Sequence, residues 1–98
     1  MATSTIKNKN FIYAGQKTPS EEFNIPTNAS VVYCIAYQNA VTDWETVSVI
    51  FLSLVGDSQH MSAQYNNMKV TFFYKPSTGV VKIANQTNIT NYRVYYRL

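Results

Sequence analysis

The stretch that decides the fold is Met68-Lys69-Val70-Thr71-Phe72-Phe73-Tyr74-Lys75-Pro76-Ser77-Thr78-Gly79-Val80-Val81-Lys82-Ile83-Ala84. Met68, Val70, Phe72 and Tyr74 alternate with Lys69, Thr71, Phe73 and Lys75, the two-residue period of a half-buried strand. Lys75 to Val80 reads as a tight turn: Pro76 presets φ, and Gly79 takes the left-handed position that closes a short loop. Residues 67–75 and 80–84 are therefore expected to form an antiparallel hairpin.

The same period runs outward from this hairpin. Residues 91–98 place Tyr92, Val94, Tyr96 and Leu98 on one side, expected in the core, and Arg93, Tyr95 and Arg97 on the other. Residues 45–55 place Val47, Val49, Phe51 and Val55 opposite Ile50, Leu52 and Leu54. Residues 30–38 are apolar on both faces and read as a central strand. Residues 10–16 and 20–25 complete the set, the latter an edge strand because Pro26 stops it. Asn85 to Thr90 reads as a polar loop. The nearest approach to a helix is Ser58–Asn66, and no twelve-residue window carries a helical apolar stripe.

About seven short strands with frequent turns predict an all-β, single-domain antiparallel β-sandwich, with a small β-barrel as the alternative. The domain is expected over residues 10–98, preceded by a flexible polar segment over residues 1–9. Two of the strands are apolar on both faces, so one side needs a cover besides the opposing sheet.

Composition narrows the function. The 98 residues are 46% hydrophobic and 14% aromatic but only 13% charged, with Asn (10), Thr (10), Ser (8) and Gln (5) supplying the polarity. So many aromatics and so few charges exclude a disordered chain. The net charge of +3 comes from scattered Lys and Arg. Duplex-DNA binders concentrate basic residues to neutralise many phosphates, so that role is disfavoured. Cys34 is the single cysteine and lies in an apolar run, which makes it a small buried hydrophobe and excludes an intrachain disulfide. No signal-like apolar run stands near Met1, and Val47–Val55, broken by serines, is too short to span a bilayer. The sequons at Asn28, Asn85 and Asn88 carry no weight without a secretion signal.

No arrangement of residues calls for catalysis, a metal or a cofactor. Asp57, Ser58 and His60 lie too close together in one stretch to converge as a triad. Only three glycines are present, and none forms a phosphate-cradling motif. Two constellations remain. Arg93, Tyr95 and Arg97, joined by the outward Phe73, make an aromatic and basic row of the kind enriched at protein interfaces, on the assumption that both rows share one sheet. Asp43, Trp44 and Glu45 offer a flat ring beside two carboxylates, which suits a sugar contact. Aromatics interleaved with basic residues also suit single-stranded nucleic acid.

A small all-β chain poor in Lys and Glu, rich in Asn, Thr and Tyr, and ending in Tyr92-Arg93-Val94-Tyr95-Tyr96-Arg97-Leu98 resembles the small structural proteins of tailed-phage virions: capsid decoration, head-fibre and tail-fibre subunits. The resemblance lies in composition and pattern, with no diagnostic motif, and it assigns no residue a role. It implies a non-enzymatic subunit that assembles with itself and other virion proteins. Such a subunit is made in the host cytoplasm and is displayed on the virion surface. A carbohydrate-binding module for host or surface attachment is the alternative, and a single-stranded nucleic-acid-binding small barrel the next.

Overall fold

A computed structural model of the chain describes residues 10–38, 48–55 and 58–98. Among them are eight strands: β1 (Ile12–Lys17), β2 (Phe23–Asn24), β3 (Val31–Gln38), β4 (Ser48–Val55), β5 (His60–Tyr65), β6 (Met68–Lys75), β7 (Val80–Thr87) and β8 (Asn91–Arg97). They form two four-stranded antiparallel sheets, in the order β1-β8-β3-β4 and β2-β7-β6-β5. The sheets lie face to face as a sandwich, with β4 beside β5 and β3 over β6. The barrel alternative is thereby set aside.

Alternation along each strand supplies the core. From the first sheet come Val32, Cys34, Ala36, Ile50, Leu52, Leu54, Tyr92 and Val94; from the second come Phe23, Met68, Val70, Phe72, Tyr74, Val81 and Ile83. Two buried tyrosines keep their hydroxyls satisfied, as burial requires. The Tyr92 hydroxyl donates to the Glu21 carbonyl at 2.5 Å. The Tyr74 hydroxyl donates to the Pro26 carbonyl at 3.1 Å and accepts from the Ala29 amide at 3.0 Å, pinning the β2–β3 connection across the core. Cys34 is a free thiol, buried, and burial pushes its pKa far up.

The β6–β7 hairpin turns as its sequence predicts. The amides of Thr78 and Gly79 both donate to the Lys75 carbonyl, at 3.1 and 2.8 Å. Gly79 has φ +79°, and a Cβ there would stand 2.0 Å from the Ile25 carbonyl oxygen. The Gly79 carbonyl in turn accepts the Ile25 amide at 2.9 Å, so this glycine locks the β2 edge to the hairpin.

Four expectations need correction. Ser58–Asn66 holds strand β5, not a helix. Its polar residues face solvent on an edge, so the alternation carries no strong apolar signal, and Asn66 (φ 54°) turns directly into β6. Strand β7 runs beyond Ala84 to Thr87. An extra residue is accommodated where Asn85 takes φ 50°, a bulge that the sequence reads as the start of a loop. Leu98 lies past the end of β8 and is 67% exposed instead of joining the core. Finally, Phe73 is on β6 in the second sheet, whereas Arg93, Tyr95 and Arg97 are on β8 in the first, so the two rows do not share a sheet. Residues 1–9, the Asp43, Trp44, Glu45 constellation and Val47 of the expected strand lie outside the described residues.

Candidate functional site

Turning the core residues of the first sheet inward forces their neighbours outward. The outward set is Tyr13 on β1; Arg93, Tyr95 and Arg97 on β8; Val31, Tyr33, Ile35 and Tyr37 on β3; and Val49, Phe51 and Val55 on β4. Register brings these residues into one surface. Tyr95 lies opposite Tyr13 on one side and opposite Tyr33 on the other. The Ala14–Gly15 bulge, with Gly15 at φ +131°, shifts β1 by one residue so that Gln16 also faces outward, opposite Arg93.

The rings form a continuous row across all four strands. Tyr13 and Tyr95 have centroids 5.0 Å apart, Tyr95 and Tyr33 are stacked at 4.7 Å with planes 10° apart, and Tyr33 meets Phe51 at 4.8 Å. Phe11 adds an edge contact to Tyr33, also at 4.8 Å. The two arginines are held on this surface by aromatic faces: Arg97 lies 5.1 Å from the Phe11 centroid, and Arg93 lies 5.4 Å from that of Tyr37. Gln16 fixes the second pair. Its Oε1 accepts from Arg93 Nε at 2.9 Å and from the Tyr37 hydroxyl. A small hollow of about 160 Å³ sits between Ile35, Tyr37, Val49 and Arg93.

Much of this surface is left in water. Phe51 is 59% exposed, Val55 61%, and Val49 and Tyr13 52% each. The described acidic side chains are Glu21 and Glu22, both in the β1–β2 connection, so none lies on the face. Partial burial, and secondarily the neighbouring Tyr95, raise the pKa of the Tyr33 phenol. Among the described residues the face is thus apolar and aromatic, with two cations and no carboxylate.

The outer surface of the second sheet is different. His60, Phe73 and Lys82 lie side by side across β5, β6 and β7. Phe73 is half-buried beneath Lys82, whose Nζ is 5.8 Å from the ring centroid, and its own centroid is 6.0 Å from that of His60. A shallow groove of about 510 Å³ runs beside it, lined in part by Glu22, His60, Lys75 and Lys82. Among the described residues there is no cluster of three His, Cys, Asp or Glu side chains able to hold a metal ion.

Sequence reasoning therefore placed Arg93, Tyr95 and Arg97 on the right side of their strand but missed Tyr13, Tyr33 and Phe51, which complete the row. The missed signal was present in part: strands 30–38 and 45–55 are apolar on both faces, and their outward residues are the ones that extend β8. Comparison with family models, curated proteins and solved structures finds no match to this chain.

Proposed function

We propose that this chain is a non-enzymatic structural subunit that docks the outer face of its β1-β8-β3-β4 sheet against neighbouring protein subunits, in the manner of the virion decoration and fibre proteins it resembles. The observation that carries this reading is the aromatic row from Tyr13 to Phe51, flanked by exposed Val49 and Val55. Antiparallel sheets ordinarily solvate one face with polar residues. A monomer that instead leaves contiguous aromatics and valines in water carries a surface suited to another protein. Repeated copies then convert a modest contact into stable attachment.

The stacking geometry favours a protein partner over nucleic acid. Tyr33 has Tyr95 on one side and Phe51 on the other, and Tyr95 is likewise flanked by Tyr13 and Tyr33. Base-stacking platforms need free ring faces, and the two central rings offer their edges instead.

Light scattering behind a sizing column, at low and high salt, tests the reading. The expected result is species above the monomer whose mass falls when Tyr95→Ser and Arg97→Ser are combined, with little change on adding salt. The reading is overturned if those substitutions leave the mass unchanged while the chain is retained on a glycan array. Oligonucleotide binding that weakens steeply with salt overturns it equally.

A further inference from the structure

Among the described residues the sandwich has four edge strands, and three are blunted. Strand β2 is two residues long and is followed by Pro26. Strand β1 carries the Gly15 bulge and ends on Lys17. Strand β5 presents His60, Ser62 and Gln64 on its outer side. Short length, proline, bulges, charge and polarity are the usual devices that stop a sheet edge from pairing with another chain. Strand β4 has no proline, bulge or charge, and serine is its one polar residue type. It is eight residues, Ser-Val-Ile-Phe-Leu-Ser-Leu-Val, paired without irregularity to β3 and with no charged residue. No strand lies beyond it among the described residues.

A second observation points to the same side of the molecule. Met61 and Tyr65 are on the core-facing side of β5, which lies beside β4, yet they are 42% and 53% exposed. Among the described residues, the sandwich is open along its β4–β5 margin.

We infer that β4 pairs with β4 of a second copy of this chain, antiparallel about a two-fold axis at Phe51, to give a continuous sheet β1-β8-β3-β4-β4-β3-β8-β1. The partner is a copy because the strand is self-complementary. A pleated sheet requires outward residues to oppose outward residues, and a two-fold centred on Phe51 does this. It sets Phe51 against Phe51, Val49 against Ser53 and Ile50 against Leu52, with no like charges opposed. The aromatic row then runs unbroken across both copies, from Tyr13 of one to Tyr13 of the other. The closing pair also brings Met61 and Tyr65 of both copies toward the same seam. This inference stands on the edge and its margin, independently of what docks on the sheet face.

The register is testable by charge. The wild-type chain is expected to have at least twice its 11.2 kDa mass in solution, and to keep twice that mass when Tyr95→Ser and Arg97→Ser remove the face contact. Val49→Lys with Ser53→Lys opposes lysines across the seam and weakens the dimer by about tenfold or more. Val49→Lys with Ser53→Glu places opposite charges there and restores it. Circular dichroism melts of both variants report whether the fold is kept. As a second measurement, Phe51→Cys in a Cys34→Ala background forms an intermolecular disulfide on mild oxidation, since directly opposed residues have the needed Cα separation. Tyr13→Cys, on the far edge, does not. The disulfide at position 51 persists when Tyr95→Ser and Arg97→Ser remove the face contact, which separates the two proposals. A wild-type monomer at all concentrations overturns the inference, as does equal mass for the two charge variants. Equal crosslinking at positions 13 and 51 overturns it as well.

Discussion

The two sheets bury their inner faces in the same way and differ on the outside. The outer surface of β2-β7-β6-β5 carries Lys69, Thr71, Lys75 and Lys82, with Phe73 tucked under a lysine. That of β1-β8-β3-β4 carries Tyr13, Tyr33, Phe51, Tyr95 and three or more aliphatic residues, with arginines stacked on rings. A sandwich needs only one apolar face per sheet to fold. The second apolar face of the first sheet is therefore surplus to folding, and the surplus is where interaction with another protein has physical support.

The largest expected effects ignore this difference. Leu52→Ala in the first sheet and Phe72→Ala in the second each remove a fully buried side chain. Each should cost about 3–5 kcal/mol in denaturant unfolding, through lost transfer energy and the cavity left behind. Near-equal losses would locate the contrast on the outside alone. A much smaller loss from either sheet would break the comparison at its root.

Outer-face substitutions separate the sheets. Tyr33→Ser breaks the stack to Tyr95 and Phe51 and the edge contact to Phe11. It should cost about 1–2 kcal/mol in the isolated chain and reduce association as well. Phe73→Ser should cost under about 1 kcal/mol and leave association untouched. If Phe73→Ser instead dissolves assemblies, the docking surface is the second sheet.

A further effect is expected at alkaline pH and belongs to the inner side of the first sheet. Burial raises the pKa of Cys34 above the ordinary 9.0 and that of Tyr92 above the ordinary 10.0. The unfolded chain releases these protons first, so it binds fewer protons than the folded chain above pH 9. Stability that is fully present below pH 9 should then decline as pH rises through the folded values. Thermal melts between pH 8 and pH 11 check this. Cys34→Ala should flatten the early part of the decline, although it lowers the starting stability.

Legibility in the sequence followed burial. Strands β4, β6 and β8 were readable because one side of each is deeply buried, which enforces the two-residue period. Strand β5 was not, since His60, Ser62 and Gln64 alternate with side chains that are themselves partly exposed. The bulge at Asn85 reads as a loop in the sequence because Asn favours left-handed backbone wherever it occurs. Which rows share a sheet depends on pairings between distant strands, such as Tyr33 with Tyr95, and no local pattern encodes them. Phe73 is misplaced by sequence reasoning for that reason, and Tyr13 escapes it likewise, because its place in the row comes from the pairing of β1 with the distant β8, while the Gly15 bulge hides the outward turn of Gln16.

The position of β8 has a consequence for how the chain acquires its shape. It sits between β1 and β3, pairing Tyr96 with both Ile12 and Val32. Strands β5, β6 and β7 are joined by short hairpins and can form as soon as they are made, whereas the first sheet lacks an interior strand until nearly the last described residue has been synthesised. Until then the paired strands β3 and β4 wait with apolar residues on both surfaces, a nascent state prone to adhere to other chains. Closing loops of that length also slows the search for the native pairing. Refolding should thus be slower than the chain's small size suggests, and its yield should fall as protein concentration rises.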